Sequence, residues 1–128
     1  MQNNQPTPAP TAKEAIARLN DELRFGLGVK SGGQVLLTEG ILSLCGGLET
    51  ALGWHRQAEC LRIVRDFDEF TDDNNPHAER DFGSFEFRET KCFWKIDYYD
   101  LDLQGGSPNP ADPKVTRRVL TILRADEY

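Results

Sequence analysis

Phe82–Asp100 reads FGSFEFRETKCFWKIDYYD. Two aromatic runs, Phe82–Phe87 and Cys92–Asp100, flank the short polar stretch Arg88-Glu89-Thr90-Lys91. Aromatic residues fit a pleated surface, so this pattern predicts two strands joined by a tight turn. Side chains alternate between the faces of a strand. Trp94, Ile96 and Tyr98 therefore share one face, the natural core face. Phe93, Lys95, Asp97 and Tyr99 share the other, which mixes aromatic and charged groups as recognition surfaces do. Two readings of that second face stand side by side: recognition, or an exposed sheet face carrying a local Lys95–Asp97 pair. Lys95 could act as a base only if burial lowered its pKa.

Outward from the hairpin, the chain reads as α+β. Upstream, Ile16, Leu19 and Leu23 lie at helical spacing within Lys13–Arg24, with Thr11 or a neighbour as an N-cap and Gly26 and Gly28 as the stop. Ser31-Gly32-Gly33 reads as a turn and Gln34–Thr38 as a short apolar strand. Gly40–Gly47 is apolar but broken by glycines, and its pattern selects neither helix nor strand. Leu48–Phe67 returns to helix, with Trp54, Ala58, Leu61 and Val64 on one stripe and Cys60, Ile63 and Phe67 beside it. Asp68–Asp81 is polar and turn-rich, a loop. Leu101–Pro113 is a second loop, and Val115–Leu123 a final strand. The expected architecture is a small, mostly antiparallel sheet of about four strands packed by two helices. Residues 1–12 form a disordered tail and 13–128 a single α+β domain.

At 128 residues and 38% hydrophobic content, the chain can bury one modest core. No apolar run approaches the roughly 20 residues that span a bilayer. MQNNQPTPAPTA has neither the basic nor the apolar region of a secretory signal. Cys45, Cys60 and Cys92 are widely spaced without a C-x-x-C, which fits free thiols in a reducing cytoplasm. The net charge of −6 is concentrated: residues 66–112 carry 13 acids against 4 bases. Such a field repels phosphates, so direct nucleic-acid binding is not expected. It suits a cation or a basic protein surface, and it also serves solubility.

His77, Glu79 and Asp81 stand at i, i+2 and i+4. In an extended segment all three would point to one face, a set able to hold a divalent metal or to form an acid–base pair. The P-C-x-x-C that accompanies H-x-E in zinc deaminases is absent, and the acidic run lacks EF-hand spacing. The competing reading is that these side chains cap turns in a long ordered loop. No P-loop, Rossmann glycine pattern or G-x-S-x-G is present, so no cofactor is expected. Thr116-Arg117-Arg118 reads as basic residues that offset the acidic middle across the sheet.

Asn75-Pro76-His77-x-Glu79-x-Asp81-Phe82-Gly83, Phe93–Asp100, Gly106–Pro113 and Arg118–Ile122 together resemble an uncharacterised bacterial domain-of-unknown-function family. It is frequent in alphaproteobacteria and carried on plasmids and other mobile elements. The resemblance covers residues 14–128. Asn75 stands where an Asp is usual, and Arg80 where a His is usual. The resemblance brings no established activity; its genomic company implies a small accessory protein of mobile DNA that counters host defence.

Two functions follow. The first is a non-enzymatic protein that binds a basic surface of a protein partner through Asp72, Asp73, Glu79, Asp81, Asp97, Tyr99, Asp100 and Asp102. The second is a metal-assisted hydrolase or nuclease using His77, Glu79 and Asp81, with Lys95 stabilising developing negative charge. Open sheet edges would allow a dimer without specifying one.

Overall fold

The computed structural model describes residues 8–27, 33–47 and 49–128. Most of the expected tail, Gly28, Ser31-Gly32 and Leu48 lie outside the described residues. Each helix starts where the sequence supplies a threonine cap. In α1 (Ala12–Phe25) the Thr11 hydroxyl accepts from the Glu14 amide at 3.2 Å, and the Glu14 carboxylate reaches back to the Thr11 amide at 3.3 Å. This reciprocal pair satisfies two otherwise orphaned donors. Thr38 caps α2 (Glu39–Cys45) and Thr50 caps α3 (Ala51–Arg65) through the hydroxyl alone, which accepts from the Ile41 and Gly53 amides at 3.4 and 2.9 Å.

The glycine-broken segment that the pattern left unassigned is thus a third helix. Gly46 ends it in the left-handed conformation, φ 81°, which glycine adopts without steric cost. The buried side of α3 also differs from the expected stripe. Trp54 is 64% exposed and Ala58 is exposed, whereas Gly53, Cys60 and Val64 face inward. Gly53 sets this rotation. A Cβ there would collide with the carbonyl of Gly47, so only a glycine lets α3 press against the α2–α3 connection.

The sheet contains β1 (Gln34–Leu37), β2 (Phe82–Phe87), β3 (Thr90–Tyr99) and β4 (Arg117–Arg124) in the order β1-β4-β3-β2. β1 runs parallel to β4, and the other two pairs are antiparallel. The β2–β3 hairpin closes on two residues, Arg88 and Glu89, with φ of 50° and 62°. Positive φ at both central positions is the backbone twist that matches paired strands.

Alternation along β3 holds as the sequence indicates. Cys92, Trp94 and Ile96 are buried on the face that the helices cover, together with Leu120 and Ile122 of β4. Gly83 allows Trp94 to lie flat against β2, since a Cβ there would strike the indole and the Phe67 ring. The opposite face carries Phe93, Lys95, Asp97 and Tyr99. At its end, the Tyr128 ring stands edge-on to Phe82 and Phe93, with centroids 6.4 and 5.6 Å away. All three cysteines are free and buried. Among the described residues, no helix is long and apolar enough to cross a membrane.

Candidate functional site

The acidic loop between α3 and β2 is built on Arg24. This side chain is 2% exposed, and its Nη1 donates to the carbonyls of Val64, Arg65 and Phe67 at 3.1, 2.9 and 2.7 Å. It adds donors to the carbonyls at the end of α3, where the helix no longer supplies a full set of amides; the Val64 carbonyl also takes the Phe67 amide at 3.3 Å. Its guanidinium also lies over the rings of Phe25, Phe70 and Trp94, with centroids 5.0, 5.5 and 5.3 Å away. Burial draws its pKa down and Asp21 opposes that pull.

Uncharged side chains shape the loop itself. The Thr71 amide donates to Asn74 Oδ1 (2.7 Å), the Asn74 amide to the Thr71 hydroxyl (3.3 Å), and Asn74 Nδ2 to the Glu69 carbonyl (2.8 Å). Asn75 Oδ1 accepts from the Arg80 amide at 2.9 Å, and Arg80 forks onto Asp21 of α1. Asp72 and Asp73 take no part in this wiring. Both are exposed, and neither forms a hydrogen bond or ion pair among the described residues.

His77, Glu79 and Asp81 do not share a face. Ala78 and Arg80 have φ of 56° and 52°, so the segment turns instead of extending and the expected alternation is lost. His77 points to solvent. Glu79 turns inward: its carboxylate accepts from the Tyr98 hydroxyl at 3.2 Å and its carbonyl from Asn20 Nδ2 at 3.0 Å. The Asp81 carbonyl accepts from the Ile96 amide at 2.8 Å, which docks the segment along β3 just before β2 begins. Burial raises the Asp81 pKa, and the charge of Glu79 raises it further. Among the described residues, no group of three or more His, Cys, Asp or Glu is placed to hold a metal ion.

The sheet face that opposes the helices carries the expected ion pair, with Lys95 Nζ 2.7 Å from Asp97 Oδ2. The hydrogen bond to Asp97 raises the Lys95 pKa, the opposite of what a lysine base needs. Beyond β3, Asp100 organises a tight loop. Its amide donates to the Gly105 carbonyl at 2.9 Å, and its carboxylate accepts from the Gln104 amide at 3.0 Å. Asp102 is exposed in that loop, while Tyr99 is half-buried and bridges to Gly106. The eight expected contact residues therefore divide. Asp72, Asp73 and Asp102 are exposed and unneutralised among the described residues, Asp97 is paired, Asp100 and Tyr99 shape a turn, and Glu79 and Asp81 serve the domain's own packing.

A second constellation lies inside. Asn20 is fully buried; its Nδ2 donates to the Tyr98 hydroxyl at 2.7 Å, and its Oδ1 accepts from Arg118 Nε at 2.9 Å. Arg118 Nη2 donates to the Pro110 carbonyl, and the guanidinium lies over the Tyr98 ring, 5.1 Å from its centroid. Burial, above all, pushes the Tyr98 phenol well above its usual value. The expected balance between Arg118 and the acidic middle takes an inward form: the charge of Glu79 acts on the guanidinium, with that of Glu22 on α1, and neither forms an ion pair with it among the described residues. The place of Arg118 in β4 aims it at the helix-covered face, where it is 8% exposed. The available signal was Asn20, a polar residue on the apolar stripe of α1 between Ile16 and Leu23.

Residues 38–127 match a family described as "Protein of unknown function (DUF3768)". No curated protein and no solved structure matches the chain. The family match spans well over half of the sequence, and the chain belongs to this family.

Proposed function

We propose that this DUF3768 chain is a non-enzymatic binding protein of the cytoplasm. It presents carboxylates to a basic surface of a protein partner, in the setting of mobile DNA and host defence. One observation carries the reading: Asp72 and Asp73 project from an ordered turn whose hydrogen bonds are made by Thr71, Asn74 and Asn75. Acids that do no structural work, held on a shaped loop, retain their full charge for an external cation. Fixed charge of this kind raises encounter rates with a basic partner and loses effect as salt rises. Asp102 adds the same character from the loop after β3. Dense carboxylates also compete for surfaces that otherwise hold phosphates, which supports a nucleic-acid-handling protein as target. The resemblance to plasmid-borne families supports the mobile-element setting.

The test is capture of partners by the tagged chain from a bacterial lysate, with and without nuclease, at low and moderate salt. A single protein partner that survives nuclease and is released by salt is expected. The triple variant Asp72→Lys, Asp73→Lys, Asp102→Lys should lose that partner while keeping its thermal midpoint. Equal capture by the variant would remove these carboxylates from the interface.

A further inference from the structure

The two buried arginines are treated differently by this fold. Arg24 has an aspartate beside it, Asp21 at 3.5 Å. Arg118, 8% exposed, forms no ion pair among the described residues. Its two hydrogen bonds go to neutral acceptors, Asn20 Oδ1 and the Pro110 carbonyl. A guanidinium has five N–H donors, so three of them have no acceptor among the described residues. The negative charges of Glu79 and Glu22 act on Arg118 without forming an ion pair, whereas a buried charge is normally neutralised by a counter-charge at contact distance.

Arg118 lines a half-enclosed pocket of about 200 Å³ together with Leu19, Leu23, Pro113, Thr116 and Glu22. The guanidinium is fixed before any ligand arrives. Asn20 and Pro110 hold its edges, and the Tyr98 ring covers one flat side. A preset fork spares a ligand the entropy of ordering the side chain. Thr116 is already committed, since its hydroxyl donates to the Asn109 carbonyl at 2.9 Å and shares a 2.7 Å contact with Ser107. Arg118 is then the group in the pocket with donors to offer.

We infer that this pocket is a binding site for a carboxylate with a short branched apolar body. The carboxylate meets the free N–H groups of Arg118 and the hydrocarbon fills the space between Leu19, Leu23 and Pro113. A planar carboxylate matches the guanidinium fork. A phosphate suits the site less. Half of the lining is apolar, and Glu22, though held by Arg18 at 3.1 Å, disfavours a dianion more than a single negative charge. The same chemistry comes from two sources, a free organic acid or the C-terminal carboxylate of a peptide ending in an aliphatic residue.

The test is an NMR titration of the full chain, read at the Arg118 Nε–Hε signal and the methyl groups of Leu19 and Leu23. The probes are isovalerate, its uncharged analogue isovaleramide, the peptide Gly-Gly-Leu and its C-terminal amide. A saturable shift with isovalerate and none with isovaleramide is expected, with half-saturation at or below about 10 mM, as suits so small a ligand. Leu19→Trp, which fills the pocket and leaves Arg118 in place, should abolish the shift in a chain that keeps its spectrum. Arg118→Lys, which keeps the charge without the fork, should weaken binding at least tenfold. A response to Gly-Gly-Leu but not its amide assigns the natural ligand to a chain terminus, and a response to isovalerate alone assigns it to a free acid. No saturable shift with any carboxylate, equal binding of isovaleramide, or an unchanged response in Leu19→Trp overturns the inference.

Discussion

Replacing Arg24 with methionine isolates the base of the acidic loop. Methionine keeps the unbranched apolar stem and removes every donor, together with the guanidinium that lies over Phe25, Phe70 and Trp94. Three hydrogen bonds from a charged group disappear, two of them in fully buried surroundings at Val64 and Phe67. A bond of this kind is worth about 1.5–3 kcal/mol, and a buried carbonyl left unsatisfied costs about 1–3 kcal/mol. Against that, the variant no longer buries a cation, the same effect that draws the Arg24 pKa down. Removing one partner of a buried charged network leaves a net loss of about 3–5 kcal/mol. For a chain of 128 residues this lowers the thermal midpoint by roughly 10–20 °C. Urea unfolding followed by tryptophan fluorescence suits the measurement, because Trp94 is buried beside Arg24. The slope with denaturant should stay constant while the midpoint falls. Arg65→Met is the control: its partner Asp66 is exposed, and the midpoint should not move. A loss below about 1 kcal/mol for Arg24→Met would refute the view that this arginine holds the end of α3 and the start of the loop. The same variant should be cleaved faster between Asp68 and Asp73 in limited proteolysis, since the Phe67 carbonyl is released.

Three further outcomes are expected. Arg88→Asn with Glu89→Gly places turn residues suited to positive φ in the β2–β3 hairpin and should stabilise the protein by about 1 kcal/mol, a midpoint gain of roughly 3–5 °C by calorimetry. Asp81→Asn should stabilise the protein at pH 7. Burial and Glu79 raise the folded-state pKa of Asp81, so its charged form is disfavoured in the fold, and the gain should vanish as pH falls below the ordinary aspartate range. Glu127 behaves in the opposite sense. Burial pushes its pKa up, but hydrogen bonds from the Arg124 amide, the Thr38 hydroxyl and the Gly40 amide outweigh it and leave the pKa lowered. Glu127→Gln should therefore melt earlier at pH 7, with the difference present above the ordinary glutamate pKa and lost as pH falls through the depressed one. A constant difference from pH 7 to pH 3 would contradict that role.

The hairpin, the core face of β3 and the first helix with its cap were legible because each is a local pattern. Alternation around Trp94 and Ile96 states which side chains go inward, and a threonine before an apolar period states where a helix begins. The acidic loop was legible in composition but not in shape. Its turns come from Asn74, Asn75 and two residues with positive φ, and non-glycine positions carry no strong mark of that conformation. This is why His77, Glu79 and Asp81 read as one face and fold as three different environments.

Contacts between distant positions lay beyond any local pattern. Asn20 and Arg118 are 98 residues apart, and neither has a neighbour in sequence that announces the other. Arg118 and Arg117 look equivalent in the chain; the register of β4 against β3 sends only one of them inward. The rotation of α3 likewise depends on one close approach, Gly53 against Gly47, which turns Trp54 outward. The sequence by itself determined the hairpin, the two longer helices and the side of the central strand that is buried, because these follow from periods of two and 3.6 residues along the chain; the short helix α2, broken by glycines, did not show. Only the tertiary structure decided which charges stay free and which are consumed. Neutralisation acts through space over a few ångströms, and the fold chooses which residues come that close.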